Sequence, residues 1–359
     1  RRTVCAPLLD LNITLADPPS YPAVDAVASG VLRLRVPVPF GRLGDVNAYL
    51  LHDTEGWTVV DTGLNTPAAR AAWRSGLSIA GIDIADLQRI VLTHSHPDHL
   101  GLAGWLQRQI ARAGGTAPVF LTRREQELAR YWSTAASSDE PLKALLRRCG
   151  VPASMPDNVT GDLQRLRQAT QPHPSGVRTL RLGASLRIGA RCFAVQHTPG
   201  HSDGHAVLYD ADDRLLLVGD HVLPHITPTI SRWPSTAPDP LGRYLRSLRA
   251  MRRLDVQRAL PGHGEGIDDW TARLRALLAH HTERLAFMEQ AVGTEATVFD
   301  VAQQAFELER LNAGEVRFAI AETLAHLDYL VGAGRLHRCD EPVWQFEPTT
   351  PQHTSASAA

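Results

Sequence analysis

Hydrophobic and polar positions divide the chain into strand and helix patterns. VNAYLLH (46–52) and GWTVVDTG (56–63) are β-branched, aliphatic runs split by a short DTEG turn, which predicts a hairpin. TPAARAAWRSGL (66–77) opens with Thr66 and Pro67 at N-cap and first-turn positions, which predicts a helix. RIVLTH (89–94) reads as a buried strand ending at His94, with Asp98 starting a helix through LGLAGWLQRQIARAG, and PVFLT (118–122) as a further strand. From Arg123 to Gln171 the pattern becomes helical, in segments such as REQELARYWS and EPLKALLRRCG, and reads as an inserted cap. Strands return at VRTLRL, SLRIG, RCFAVQH, HAVLYD and RLLLVGD; the helix PLGRYLRSLRAMRRL and the strand RALPGHG follow. Strands, helices and strands again describe a two-part sandwich with helices outside.

Beyond Asp268, DWTARLRALLAHHTERLAFMEQAV is one long amphipathic helix. TVFDVAQQAF and EVRFAIAETLAHLDYLVGAG follow as helices, and RLHRC and PVWQF flank a turn, the order of a winged-helix unit. The long helix EVRFAIAETLAHLDYLVGAG carries Glu315, Arg317, Glu322 and Asp328, which is no basic face for a groove, so packing or dimerisation is the expected role. The predicted organisation is a main domain over 1–268 with a helical insertion at 123–171, a C-terminal domain over 269–346, and a small, polar tail at 347–359 expected to be disordered.

Composition narrows the classes. Hydrophobic residues make up 43% and charged residues 21% of 359, ordinary globular usage. Lys+Arg total 37 against 38 for Asp+Glu, so no net basic field attracts nucleic acid. Lys143 is the only lysine. Cys5, Cys149, Cys192 and Cys339 form no CxxC pair, as expected of reduced thiols in a cytoplasmic protein rather than a disulfide scaffold. No apolar run approaches the roughly 20 residues that cross a bilayer, and the first residues offer too short an apolar stretch for a secretory signal.

The chemistry concentrates in THSHPDHLG (93–101), which crowds three of 16 histidines and an aspartate at a strand end. Imidazole is the commonest protein ligand for first-row metals, with carboxylate a harder donor beside it. His94 and His96, two apart on an extended turn, can point to one side, while Asp98 and His99 on a first helical turn can reach a neighbouring point. One loop can therefore serve two metals. Further donors follow other strands, in QHTPGHSDGH (196–205), at Asp220 and His221 after LLLVG, and at His263 in LPGHG.

THSHPDH, TPGHSDGH, VGDH and LPGHG, in this order and spacing, resemble the metallo-β-lactamase superfamily, and DTG at 61–63 fits its early strand-turn. The resemblance covers about 30–265, and the stretch 270–346 resembles the winged-helix extension of the lactamase-like-protein-2 group. It implies an α+β fold, an αββα sandwich with a helical cap insertion and a C-terminal winged-helix-like domain. It further implies that His94, His96 and His201 hold one metal, that Asp98, His99 and His263 hold a second, and that Asp220 bridges them. Asp61 would either cap its turn or hydrogen-bond a ligand. His197 and His205 are expected behind the ligands or in structural roles, and His221 and His225 to lie near enough to Asp220 to face the pocket.

Two divalent ions, zinc by donor type with manganese or iron as alternatives, can activate one shared hydroxide. The expected enzyme is thus a binuclear hydrolase of a carboxylic thioester, lactone or ester, with Asp98 or Asp220 passing a proton. A small-molecule acyl substrate is favoured because the cap supplies Leu128, Tyr131, Trp132, Leu145 and Leu146. Among the rivals, a ribonuclease or phosphodiesterase is opposed by the neutral charge, although RYLRSLRAMRR (243–253) is arginine-rich. Persulfide oxidation by iron, another chemistry of this fold, uses a three-ligand site, and Asp98, His99 and His263 together disfavour it. Neither nucleic acid nor membrane is an expected partner; a homodimer is.

Overall fold

Continuous burial along the central strands sets the layers of the computed structural model, which describes residues 23–39, 44–133 and 138–349. Successive side chains of a strand point to opposite faces, so a strand buried on both faces feeds two different cores. Tyr49 and Leu51 of the strand Asp45–His52 enter the layer between the sheets, while Ala48 and Leu50 pack against outer helices. Ala206 and Leu208 of Ala206–Asp210 likewise face inward, and Val207 and Tyr209 outward.

Seven strands form the first sheet, in the order Val24–Ala28, Val31–Pro37, Asp45–His52, Trp57–Val60, Leu87–Val91, Val119–Leu121 and Arg178–Thr179. Pairing is antiparallel through Trp57–Val60 and parallel thereafter. The second sheet runs Arg258–Pro261, Leu215–Gly219, Ala206–Asp210, Arg191–His197 and Ser185–Ile188. Phe193, Val195, Leu217 and Leu260 meet Tyr49, Val60 and Val91 in the interlayer core. Helices Pro67–Ala80 and Ala103–Arg112 cover the outer face of the first sheet through Trp73, Leu77, Leu106 and Ile110. Pro240–Met251 and Trp270–Val292 cover the second through Tyr244, Leu248, Trp270 and Leu274. The architecture is the expected α+β, αββα sandwich.

The hairpin at 46–63 forms, and Thr66 caps the following helix by accepting from Ala69 N at 3.1 Å. The helix after the histidine loop starts at Pro97, one residue before the expected Asp98, because proline fits the first helical position, where no donor is needed. It stops at Leu100 and a second helix begins at Ala103. VRTLRL shrinks to a two-residue strand, Arg178–Thr179, at the sheet edge. The insertion folds as four short helices, Arg123–Ser133, Glu140–Arg148, Pro156–Thr160 and Leu163–Gln168.

The C-terminal part holds helices Trp270–Val292, Val298–Ala305 and Ala313–Gly332 with a three-stranded sheet, in which Ala296–Thr297 joins Gln345–Pro348 and Leu336–Cys339. Capping boxes at Thr297/Asp300 and Asn312/Glu315 start the last two helices. One expectation needs correction. Glu347 and Pro348 are not part of a disordered tail, since they pair with His337 and Leu336; positions 350–359 lie outside the described residues. The helix carrying Glu315, Arg317 and Glu322 takes the expected packing role: all three are buried, because Ala313–Gly332 packs against the insertion and the helices Pro240–Met251 and Trp270–Val292. Among the described residues no helix is long and apolar enough to cross a membrane.

Candidate metal centre

Four loops after strands converge at one edge of the sandwich. The loop after Leu87–Val91 carries His94, His96, Asp98 and His99; His201 follows Arg191–His197, Asp220 follows Leu215–Gly219, and His263 follows Arg258–Pro261. Two donor sets result. His94, His96 and His201 place one ligand atom each within 4.8 Å of one another, and so do Asp98, His99, Asp220 and His263. His94 Nε2 faces His96 Nδ1 at 3.0 Å. Asp220 Oδ2 stands between the sets, 3.3 Å from His99 Nε2, 3.4 Å from His263 Nε2 and 3.8 Å from His201 Nε2. Asp98 Oδ2 is 3.3 Å from His263 Nε2. All seven residues singled out by the sequence are thus brought together.

The opposite ring nitrogens are already committed. His99 Nδ1 donates to Asp61 Oδ2 at 2.9 Å, His201 Nδ1 to the carbonyl of Thr229 at 3.0 Å, and His263 Nδ1 to that of Asp45 at 2.7 Å. Thr93 gives its hydroxyl proton to Asp61 at 2.7 Å, so its oxygen accepts from His94 Nδ1 at 3.0 Å. Each contact leaves the other nitrogen as a lone-pair donor toward the centre. His99 Nε2, His201 Nε2, His263 Nε2 and Asp220 Oδ1 are buried with no hydrogen-bond partner among the described residues. Orphaned acceptors at a dry site are expensive unless a cation meets them, so the donor set fits divalent metal.

Protonation preferences divide along the same line. Burial, then the neighbouring His201, depresses His96 to about 3, and burial likewise lowers His94 and His201. Burial opposes charge on His263 as well, but Asp220 and Asp98 outweigh it and raise the imidazole to about 10. Asp98 is held at about 2 because His99 and His263 overcome its desolvation. The carboxylates therefore concentrate negative charge at the second set.

Of its two expected roles Asp61 takes the one beside a ligand: at a left-handed φ of 58° its carboxylate accepts from His99 Nδ1 and from Thr93 N at 2.9 Å, reaching the histidine loop rather than capping its own turn. Gly262 is required by close approach, since a Cβ there would collide with Asp220 Oδ1 and come within 2.8 Å of His99 Cε1. Asn47 fixes the LPGHG loop through the carbonyls of Pro261 at 2.9 Å and Gly264 at 2.8 Å.

His205 lies behind the ligands, bonded to Thr198 Oγ1 at 2.9 Å, while His197 Nε2 bonds the carbonyl of Asp203 at 2.8 Å. His221 and His225 do not line the pocket as expected: His221 is buried against Tyr244 and His205, and His225 is exposed. The sequence reading missed Glu125. Its buried carboxylate accepts from Ser95 N and Ser95 Oγ through one oxygen, at 2.8 and 2.6 Å, and from Gly204 N and Ser202 Oγ through the other, at 2.7 and 2.5 Å. It clasps the two histidine loops together, yet in sequence it is one more acid in a polar helix.

His96, Asp98, His201 and Asp220 open onto a cavity of about 440 Å³. Leu128, Tyr131, Trp132, Leu163 and Leu166 of the insertion form one wall, and Trp233, Phe306, Leu311 and Phe318 another. Leu145 and Leu146, expected beside them, pack into the core instead.

The model of the metallo-beta-lactamase superfamily matches residues 41–263, and that of the metallo-beta-lactamase-like C-terminal domain matches 285–349. The chain is 29% identical over 308 residues to the probable metallo-hydrolase YqjP of Bacillus subtilis, covering 84% of this chain and 92% of that protein. It is 24% identical over 337 residues to the beta-lactamase-like protein 2 homolog of Drosophila melanogaster, covering 92% and 98%. The crystal structure of a metallo-beta-lactamase family protein from Thermus thermophilus superposes with a TM-score of 0.78 at 33% identity, over 90% of this chain and all (100%) of that one. The chain belongs to the metallo-beta-lactamase superfamily, as a metallo-hydrolase with a candidate metal site.

Proposed function

We propose that the protein is a binuclear metal-dependent hydrolase of carboxylic thioesters, lactones or esters of an organic substrate, with zinc the metal best suited to its nitrogen-rich donors. The carrying observation is Asp220 Oδ2, placed between two donor sets whose other nitrogens are engaged by hydrogen bonds. In this reading His94, His96 and His201 hold one ion, Asp98, His99 and His263 the other, and Asp220 both. Bound metal lowers the pKa of coordinated water from about 15.7 to about 7 and supplies a nucleophile at neutral pH.

The chain's own residues do the rest. Asp98, in the pocket wall with one oxygen against His263, is placed to take a proton at its carboxylate and return it to the leaving oxygen or sulfur. Leucine and aromatic side chains of the insertion exclude water and pack an acyl group. Apolar walls favour an organic acyl substrate over a nucleic-acid strand. Arg243, at the start of the arginine-rich helix, is already committed to Asp203 at 2.8 Å, which weakens the phosphodiesterase alternative.

The test is a panel of acyl thioesters, lactones, a β-lactam and single-stranded RNA offered to the zinc-loaded full chain. Turnover of an ester or thioester, abolished in His96→Ala, is the expected result. Cleavage of RNA alone would replace the reading with the phosphodiesterase one.

A further inference from the structure

The cavity beside the metal centre has a second polar point, which the proposed hydrolysis does not use. Its wall from the helix Ala313–Gly332 carries Glu322, 7% exposed. The backbone carbonyl of Glu322 accepts from His326 Nδ1 at 2.8 Å, but its carboxylate makes no hydrogen bond or ion pair with any described residue. Ser231 in the same cavity is 6% exposed, and its Oγ also has no partner among the described residues. Their backbones are joined, because Arg232 N donates to the carbonyl of Ala321 at 3.0 Å, tying the residue after Ser231 to the residue before Glu322, and both residues line the cavity.

An unpartnered buried carboxyl costs the fold stability, and no cation among the described residues pairs with this one. Arg317, five positions earlier, is spent on Asp162 and on the carbonyl of Val159. Arg284 acts on Glu322 too weakly to offset burial, which pushes the carboxyl up to about 7. Around neutrality it can both donate and accept, as a serine hydroxyl does.

We infer that Glu322 and Ser231 form a subsite that reads a hydroxyl group on the organic part of the substrate, away from the scissile carbonyl. A hydroxyl donates to one of the pair and accepts from the other. An ammonium group could use both only as acceptors, leaving the serine proton unmatched in an apolar wall with Trp233 and Phe318. The inference takes from the proposed hydrolysis only that the donor cluster marks the reacting end of the cavity.

The probes are phenylacetic, phenylpropionic and phenylbutyric acids, each with and without a para-hydroxyl, titrated calorimetrically into the zinc-loaded full chain. For at least one spacer the hydroxylated acid binds about tenfold more tightly, the worth of one well-formed buried hydrogen bond. Glu322→Ala erases that preference while melting no lower than wild type, and Glu322→Gln, which still donates and accepts, keeps most of it. No preference at any spacer, a preference that survives in Glu322→Ala, or a stronger one for para-aminomethyl analogues overturns the inference. The matching N-acetylcysteamine thioesters separate the two claims. Hydrolysis without a hydroxyl preference removes the subsite alone; a binding preference without hydrolysis of any ester removes the hydrolytic reading alone.

Discussion

Glu125 and Glu322 show how differently two buried carboxylates can behave. Glu125 is saturated by four donors from two loops, so Glu125→Ala leaves those donors unmatched, at about 1–3 kcal/mol each for the ones that water cannot reach. Glu125→Gln is no rescue, because its amide NH2 must face a backbone N–H whichever way it is turned. Both variants are expected to bind zinc about 10–100-fold more weakly, as read by chelator competition; unchanged affinity would remove Glu125 from the support of the site. Glu322 is the opposite case, since its folded-state pKa is raised from 4.5 to about 7. The carboxyl costs nothing while protonated in both states, and the cost grows as pH rises from about 4.5 to about 7, then levels near 3 kcal/mol. Urea unfolding should therefore find Glu322→Gln equal to wild type near pH 4.5 and more stable above pH 7. A constant difference across that range would contradict the assigned shift.

At the scale of elements, the loops matter through how closely they pack. Gly262→Ala places a methyl against Asp220 and His99, so it should lower zinc content, measured by elemental analysis, with little loss of helix and sheet in circular dichroism; full zinc content would contradict the close approach. Much of this level was legible in the sequence. β-Branched, aliphatic runs bounded by turn residues marked the strands, and the His and Asp donors stood at their ends, which a sandwich brings to one edge. Glu125 was hidden because its partners, Ser95, Ser202 and Gly204, are distant in sequence and individually ordinary. His221 was misjudged because adjacency to Asp220 says nothing of direction: the next residue after a strand end turns into the core, against Tyr244. Leu145 and Leu146 share a helix with Leu142, which lines the pocket, but one turn further along they pack into the core. The fate of Glu315, Arg317 and Glu322 could not be read from their own helix, since what buries them comes from the insertion and the outer helices.

Across the whole molecule, one apolar cluster runs from Val207 and Leu216 of the second sheet through Trp270 and Leu277 to Ile320, Leu324 and Leu327. The packing role expected of the C-terminal part is thus met within the chain. Arg273 adds a polar tie, donating to the carbonyls of Leu223 and Ile226 near the cavity. Truncation after Asp268 takes Trp270–Val292 off the outer face of the second sheet and removes the cavity wall that carries Phe318 and Glu322. The shortened chain should be insoluble or bind the dye ANS strongly; a soluble, fully active fragment would show that this cluster is dispensable.

The proposed centre needs seven side chains to hold two ions with one carboxylate in common. Anomalous diffraction from crystals of the full chain grown with zinc tests this most directly. Two peaks are expected, one amid His94, His96 and His201 and one amid Asp98, His99 and His263, with Asp220 touching both. A single peak at saturating zinc, or two peaks that Asp220 does not join, would contradict it.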